Sequence, residues 1–186
     1  MEVSPGLVAL AVAVAALLWI IAAFNGLVAL RNRVRNGWAE IDLQLKRRHD
    51  LIPNLVESVR GYMQHERSVF EAVTQARSQA IAAGGDVQQR SAAESVLTTA
   101  LGQLFARVEN YPQLRAVESV QLLQEQLTST ENRIAFARQF YNDEVTKYNT
   151  VQSTFPRSLF AGLLGFSPAS MFTALDADRA NVQVKV

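Results

Sequence analysis

The feature that most constrains this chain is an uninterrupted apolar run near its N-terminus. Every residue from Leu7 to Phe24 is Leu, Val, Ala, Trp, Ile or Phe, and the run resumes for four residues after Asn25-Gly26. A bilayer core of about 30 Å is spanned by about 20 apolar residues in a helix. A globular helix of this length would carry a polar stripe on its exposed side. Residues 7–30 are therefore predicted to form a transmembrane helix.

The charges that flank this run predict its orientation. A cleaved signal peptide, the main alternative, would carry positive charge before a shorter apolar region, and residues 1–6 contain no Lys or Arg. Arg31, Arg33 and Arg35 follow the run directly, and the positive-inside rule places such residues on the cytoplasmic side. We expect a single-pass anchor with residues 1–6 outside and the C-terminal body in the cytoplasm.

The composition excludes several classes of protein. The 186 residues include 18 Lys and Arg against 17 Asp and Glu, which argues against a general nucleic-acid binder. No cysteine is present, so disulfides, thiolate metal sites and cysteine nucleophiles are excluded. No charged residue lies within the apolar run, so a single copy offers no path for ions or protons.

After the apolar run, the sequence is typical of amphipathic helices. Apolar residues recur every three or four positions from Val34 and Trp38 onward. Because this helical pattern begins close to the membrane, we expect it to continue the spanning helix. Pro53 is expected to kink this helix or to mark a restart, with Asp50 as a candidate N-cap.

Three further helices follow. Gly84-Gly85 predicts a break, and the next helix is expected to begin near Asp86 or at a capping box from Ser91 to Glu94. The clearest pattern, from Val120 to Phe155, steps by three and four and ends at Pro156. Residues 31–156 are therefore predicted to form a long antiparallel, up-and-down helical bundle, and the fold class is all-α.

The C-terminal tail, residues 157–186, has a different character. It opens with an apolar stretch, Leu159–Phe166, that contains two glycines. Such a segment packs on its own bundle, on a neighbouring subunit or on the bilayer, and the sequence leaves these alternatives open.

The sequence predicts no catalytic, cofactor or metal site. His49 and His65 lie beside Asp50 and Glu66, but a helical zinc pair needs its ligands three or four positions apart and these histidines are sixteen apart. They would have to meet across a bend. No Gly-rich phosphate loop and no nucleophile elbow is present in the sequence.

Polar residues on the predicted helices carry more information. Tyr141 and Tyr148 lie seven positions apart, as do Asn142 and Asn149, so each pair repeats along one side of a helix. Partly buried amides need partners, and that need specifies one register or one neighbour. Two interpretations follow, namely bundle specificity and a recognition surface for a partner or another copy.

Several motifs follow the span in order, namely Trp38–Arg48, Asp50–Val56, Glu109–Leu114, Thr130–Ala135 and the pairs Tyr141-Asn142 and Tyr148-Asn149. Through these motifs the chain resembles the LemA family of bacterial membrane proteins over nearly the whole sequence after the span. The candidate structural and interaction residues lie in or beside the motifs that carry the resemblance, and they are Trp38, Pro53, Asn54, Glu131, Asn132, Arg133, Tyr141, Asn142, Tyr148, Asn149, Phe155 and Pro156. The resemblance implies an N-terminal membrane helix, a cytoplasmic helical bundle and no established enzymatic activity. It also implies an envelope or membrane-organising role, with membrane proteases among the associated proteins.

We therefore expect a non-enzymatic scaffold in the bacterial inner membrane. Its partners would be the lipid bilayer, further copies of itself and other membrane proteins, including membrane proteases, but no nucleic acid. Self-assembly is expected because the apolar seam continues from the membrane into the body and because the apolar tail has no obvious place in one bundle. The alternatives are a subunit of an oligomeric pore or transport complex and, in third place, an enzyme that uses His49 and His65 with nearby carboxylates.

Overall fold

A computed structural model describes residues 4–173 of the chain, and these residues form helices joined by short connections. No strand is present within this part of the chain, and the predicted all-α fold is confirmed. The elements are α1 (Pro5–Arg60), α2 (Arg67–Ala82), α3 (Val87–Val108), a 3₁₀ helix (Pro112–Ala116), α4 (Glu118–Ser153) and α5 (Ser158–Ala161).

The first helix, α1, continues without interruption from the apolar run into the bundle. Its 56 residues extend over about 84 Å at the α-helical rise. The N-terminal part is long and apolar enough to cross a membrane, and only 6% of its most apolar window is buried by the rest of the chain. A long apolar surface that no other part of residues 4–173 covers is typical of a helix that crosses a bilayer.

Of the two outcomes predicted for Pro53, the restart is wrong, and the kink stays a prediction. Pro53 lies inside α1, and Asp50 is an interior residue of the same helix rather than an N-cap. Pro53 is exposed, so its ring faces solvent and removes one hydrogen bond without disturbing the packed side of the helix. Ile52 and Leu55 on either side of it are fully buried, and their packing holds the helical register.

The helices run alternately away from the apolar run and back toward it. The close approach of Gly37 to Tyr141 and the ion pair between Arg48 and Glu131 show that α1 and α4 are antiparallel. The helices α2 and α3 form a second antiparallel pair that lies against the far end of α1. The up-and-down order predicted from the sequence is therefore the order found.

The described residues contain two apolar cores at different heights. The distal core joins the C-terminal third of α1 with α2, α3 and the first part of α4. The proximal core lies nearer the apolar run and joins residues 27–45 of α1 with residues 134–151 of α4. Between them lies a layer of buried polar residues that includes Arg48, His49 and Glu94.

The start of α3 resolves the alternative that the sequence left open. The carboxylate of Asp86 caps the helix by accepting hydrogen bonds from the backbone N–H groups of Gln88 (2.8 Å) and Gln89 (2.9 Å). Ser91 and Glu94 lie inside α3 and are buried. The pattern that resembled a capping box therefore places a carboxylate in the interior.

The described part of the tail lies in the groove between α1 and α4. Ala161, Phe166 and Phe172 are buried in the proximal core, so the tail completes what two helices alone would leave open. Phe155 was predicted to lie on the apolar seam of the fourth helix, and this is wrong because α4 ends at Ser153 and Phe155 is exposed. The rest of the predicted tail, residues 174–186, and residues 1–3 of the predicted outer segment lie outside the described residues.

Candidate functional site

Two asparagines of α4 hold the tail by its backbone. The side-chain amide of Asn149 donates to the carbonyl oxygen of Ala169 and its oxygen accepts from the N–H of the same residue, both at 2.9 Å. Asn142 makes the same pair of bonds with Phe172, at 3.0 and 2.9 Å. An amide side chain has the donor and acceptor of a peptide group, so each asparagine pairs with the tail as a neighbouring strand would.

The two tyrosines with the same seven-residue spacing bind tail residues next to those that the asparagines bind. Tyr141 donates its hydroxyl proton to the carbonyl oxygen of Ser170 at 2.8 Å, and Tyr148 donates to that of Ser167 at 2.9 Å. Burial raises the pKa of both phenols, with Arg31 partly offsetting the effect at Tyr148, so both remain protonated donors at neutral pH. The periodicity recognised in the sequence thus forms a ladder of side-chain bonds to the tail.

An aromatic cluster lies at the end of this ladder that is farther from the apolar run of α1. The ring centroid of Trp38 lies 5.7 Å from that of Tyr141 and 6.0 Å from that of Phe172. Two guanidinium groups lie over the cluster, Arg138 at 5.1 Å from the Phe172 ring and Arg90 at 5.9 Å from the Trp38 ring. Trp38 therefore contacts both the ladder helix and the tail, which explains a large aromatic residue at this position.

The buried polar layer is centred on Arg48. Its side chain is 1% exposed and forms ion pairs with the carboxylates of Glu94 and Glu131, the latter at 2.6 Å. It also donates to the hydroxyl of Thr98 at 2.9 Å. One guanidinium thus links α1, α3 and α4, and its charge is compensated on two sides.

His49 completes the layer. Its Nε2 lies 3.0 Å from the second carboxylate oxygen of Glu94, and its backbone carbonyl accepts a 2.8 Å bond from Nε of Arg77 on α2. Burial alone would raise the pKa of Glu94, but the hydrogen bond from His49 and the positive charge of Arg48 together hold that pKa below its ordinary value. Glu94 is therefore an ionised carboxylate that lies between the guanidinium of Arg48 and the imidazole of His49.

The structure does not bring the two histidines together. His49 is buried in the polar layer, whereas His65 is exposed in the connection between α1 and α2. Within residues 4–173, no three His, Asp or Glu side chains are grouped as ligands for a metal ion. The enzyme hypothesis required both histidines at one bend, and the geometry gives it no support.

The remaining predicted residues have simpler surroundings. Asn54, Asn132 and Arg133 are exposed, and Pro156 is half-buried. Glu131, which precedes Asn132 and Arg133 in the sequence, instead turns inward to Arg48. These three neighbours therefore do not form one site.

Sequence reasoning missed the polar layer. Arg48 was not predicted as part of a site, and Glu94 was predicted only as part of a helix cap. The available signal was the position itself, since an arginine on the buried side of a helix requires acidic partners from other helices.

Comparisons with known proteins identify the family. The model of the LemA family matches residues 37–186. Magnetosome protein MamQ 2 of Paramagnetospirillum magneticum is 25% identical over 174 residues, which cover 80% of this chain and 64% of MamQ 2. Magnetosome protein MamQ of Magnetospirillum gryphiswaldense is 23% identical with the same coverage. The chain therefore spans less than two thirds of the length of these relatives.

A shorter relative gives a more even match. Protein LemA of Metamycoplasma hominis is 26% identical over 160 residues, which cover 85% of this chain and 72% of that protein. None of these names describes an enzymatic activity. Since the family model covers most of the sequence, including the tail ladder and the buried polar layer, the chain belongs to the LemA family.

Proposed function

We propose that this protein is a non-enzymatic, membrane-anchored scaffold that assembles side by side with copies of itself in the bacterial inner membrane. The apolar part of α1 is the anchor, and the bundle projects from it into the cytoplasm. In this role the protein organises the membrane or envelope, and its further partners are other membrane proteins, membrane proteases among them.

Both features that favoured self-assembly in the sequence are used within one chain. The seam of α1 is covered by α4, and the described part of the apolar tail fills the groove between these helices. A different observation now supports assembly. Phe136 and Phe140 lie one turn apart on the outer face of α4 and are 73% and 51% exposed. Exposed aromatic pairs of this kind are enriched at protein interfaces.

The membrane fixes the height of this aromatic pair. Phe140 lies beside Gly37 of α1, which is six residues beyond Arg31 and therefore about 9 Å farther from the membrane. Every copy in the bilayer presents the pair at that height, so two copies meet through it by rotation about an axis along the membrane normal. Confinement in one membrane raises the effective concentration without any new contact.

Crosslinking in native membranes tests this proposal. The chain has no cysteine, so Gln139→Cys, an exposed position between the two phenylalanines, gives a single reporter. We expect a disulfide-linked dimer on mild oxidation, and its loss when Phe136→Asp and Phe140→Asp are added. Leu122→Asp is the matched control, since Leu122 is also an exposed apolar residue of α4 but lies more than three turns away. A monomer with no crosslink in intact membranes contradicts self-assembly through this surface.

The topology is tested separately. Protease added to intact spheroplasts should leave the bundle undigested, and permeabilised cells should show its digestion. Digestion in intact spheroplasts would place the bundle outside and overturn the proposed location. Absence of ion flux in reconstituted vesicles distinguishes the scaffold from a pore subunit.

A further inference from the structure

We propose that the turn formed by residues 155–164 is a second membrane contact, which enters the cytoplasmic leaflet of the same bilayer that α1 crosses. The proposal rests on α1 being the membrane anchor. It adds a lipid-binding surface from the opposite end of the chain, and it does not depend on self-assembly.

The first observation is the set of apolar side chains that this turn exposes. Leu163 is 87% exposed, and it is one of four large apolar residues that the fold leaves uncovered within ten positions. The four are Phe155, Leu159, Leu163 and Leu164. Such density of exposed apolar surface is unusual on a face that meets water, and it marks an interaction site.

The second observation is where the turn lies. The ring centroid of Phe160 is 6.3 Å from that of Trp19, and the centroid of Phe166 is 5.6 Å from that of Phe24. Both partners belong to the apolar run of α1. The lipid that surrounds the run therefore reaches the turn as well, and this neighbourhood favours lipid over a second protein as the occupant.

The depth follows from the helical rise. Trp19 precedes Arg31 by twelve residues, or about 18 Å along α1. The headgroup region is about 5–8 Å thick on each side of the hydrocarbon core. Even with Arg31 at the outer edge of the headgroups, the contact between Trp19 and Phe160 lies about 10 Å inside the core, which is a depth reached by interfacial apolar elements.

The third observation is that the turn satisfies much of its backbone internally, as hydrocarbon requires. The N–H groups of Phe160 and Ala161 donate to the carbonyl of Arg157, at 3.0 and 2.9 Å. The turn then closes with bonds from Gly165 to Gly162 and from Phe166 to Ala161. This is the Schellman arrangement, and Gly165 adopts the positive φ of 73° that it needs.

Depth-dependent quenching on the full-length protein tests the proposal. Leu163→Cys is labelled with an environment-sensitive fluorophore and reconstituted into vesicles of phosphatidylethanolamine and phosphatidylglycerol at a high ratio of lipid to protein. We expect blue-shifted emission, strong quenching by lipids brominated on the acyl chains, and a several-fold lower quenching constant for aqueous iodide than at Leu122→Cys. Leu17→Cys, in the apolar run, is the membrane control.

Three results of this quenching experiment would overturn the proposed membrane contact. Iodide quenching at position 163 equal to that at 122, with 17 still quenched by brominated lipid, overturns the second contact and leaves the anchor intact. Failure of brominated lipid to quench position 17 removes the anchor on which the proposal rests, and the proposal falls with it. Protection at 163 that disappears when the protein is diluted into excess lipid assigns the surface to another copy and also overturns the proposal.

Discussion

Replacing Arg48 by methionine removes the charge that links three helices, and we expect this single change to be severely destabilising. Arg48 is 1% exposed, and Glu94, whose carboxylate it compensates, is 3% exposed. In Arg48→Met that carboxylate stays in the interior with only His49 beside it. Breaking a buried ion pair by removing one partner costs about 3–5 kcal/mol of unfolding free energy. At about 2–4 °C per kcal/mol for a chain of this size, the midpoint falls by roughly 6–20 °C.

The second carboxylate provides the matched control. The side chain of Glu131 is 43% exposed, so its pairing with Arg48 is screened by water. Glu131→Gln is therefore expected to cost about 1 kcal/mol, which is typical of exposed ion pairs. The double variant Arg48→Met/Glu94→Gln removes both buried charges and should recover most of the stability lost in Arg48→Met, because no unpaired carboxylate is left in the interior and Glu131, which loses its partner, is exposed to water.

Thermal unfolding in detergent micelles, followed by circular dichroism at the helical minimum, measures these differences. The order expected is wild type, then Glu131→Gln close below it, then the double variant, and Arg48→Met last. If Arg48→Met unfolds within 1 kcal/mol of the wild type, or if Glu131→Gln is as unstable as Arg48→Met, the polar layer does not hold the helices as the geometry indicates.

Three further perturbations test other parts of the fold. The pKa of Glu94 is lowered in the folded chain, so its carboxylate stabilises the fold above its ordinary pKa of 4.5 and that contribution disappears as the pH falls through the lowered value. Between about pH 5 and about pH 3, Glu94→Gln should thus lose less stability than the wild type in the same denaturation assay. Asn149→Asp replaces a donor by a charged acceptor opposite a carbonyl and should release the tail, seen as faster hydrogen exchange of its amides, whereas the exposed Asn132→Asp should change nothing. A Cβ at Gly37 would lie 3.3 Å from the backbone of α4, so Gly37→Val should lower the unfolding midpoint. At Gly102 a Cβ has open space, so Gly102→Ala should raise the free energy of unfolding by about 0.5–1 kcal/mol through helix propensity.

The fold was predictable because the helical period of the apolar residues and the length of the apolar run can both be read from the sequence. The uninterrupted apolar run and the steps of three and four defined α1 and α4 without reference to any partner. The tail was not predictable in the same way. Asn142 and Asn149 bind backbone atoms, and a backbone segment carries no side-chain signature that would mark it as their partner.

Pro53 shows the opposite error, in which a local rule was applied too strictly. A proline in a helix interior removes one i→i−4 hydrogen bond and its ring clashes with the carbonyl of residue i−4, so the helix breaks or kinks unless packing on either side holds the register. Here it faces solvent, and buried leucine and isoleucine neighbours hold the helix on both sides. Burial was the missing quantity, and it depends on the tertiary arrangement rather than on the sequence near the proline.

The tail ladder and the proposed membrane contact act on the same segment, and this connects them thermodynamically. The ladder orders residues 166–173 along α4, and the exposed turn that immediately precedes them lies beside the apolar run of α1. Lipid that binds the turn stabilises the arrangement that the ladder also stabilises, so each should strengthen the other. Asn149→Asp should therefore raise iodide access to a probe at position 163 in vesicles, although position 149 lies in the bundle. Unchanged access at 163, together with fast exchange of the tail amides, would show that the turn is held by lipid and α1 alone and that the coupling is absent.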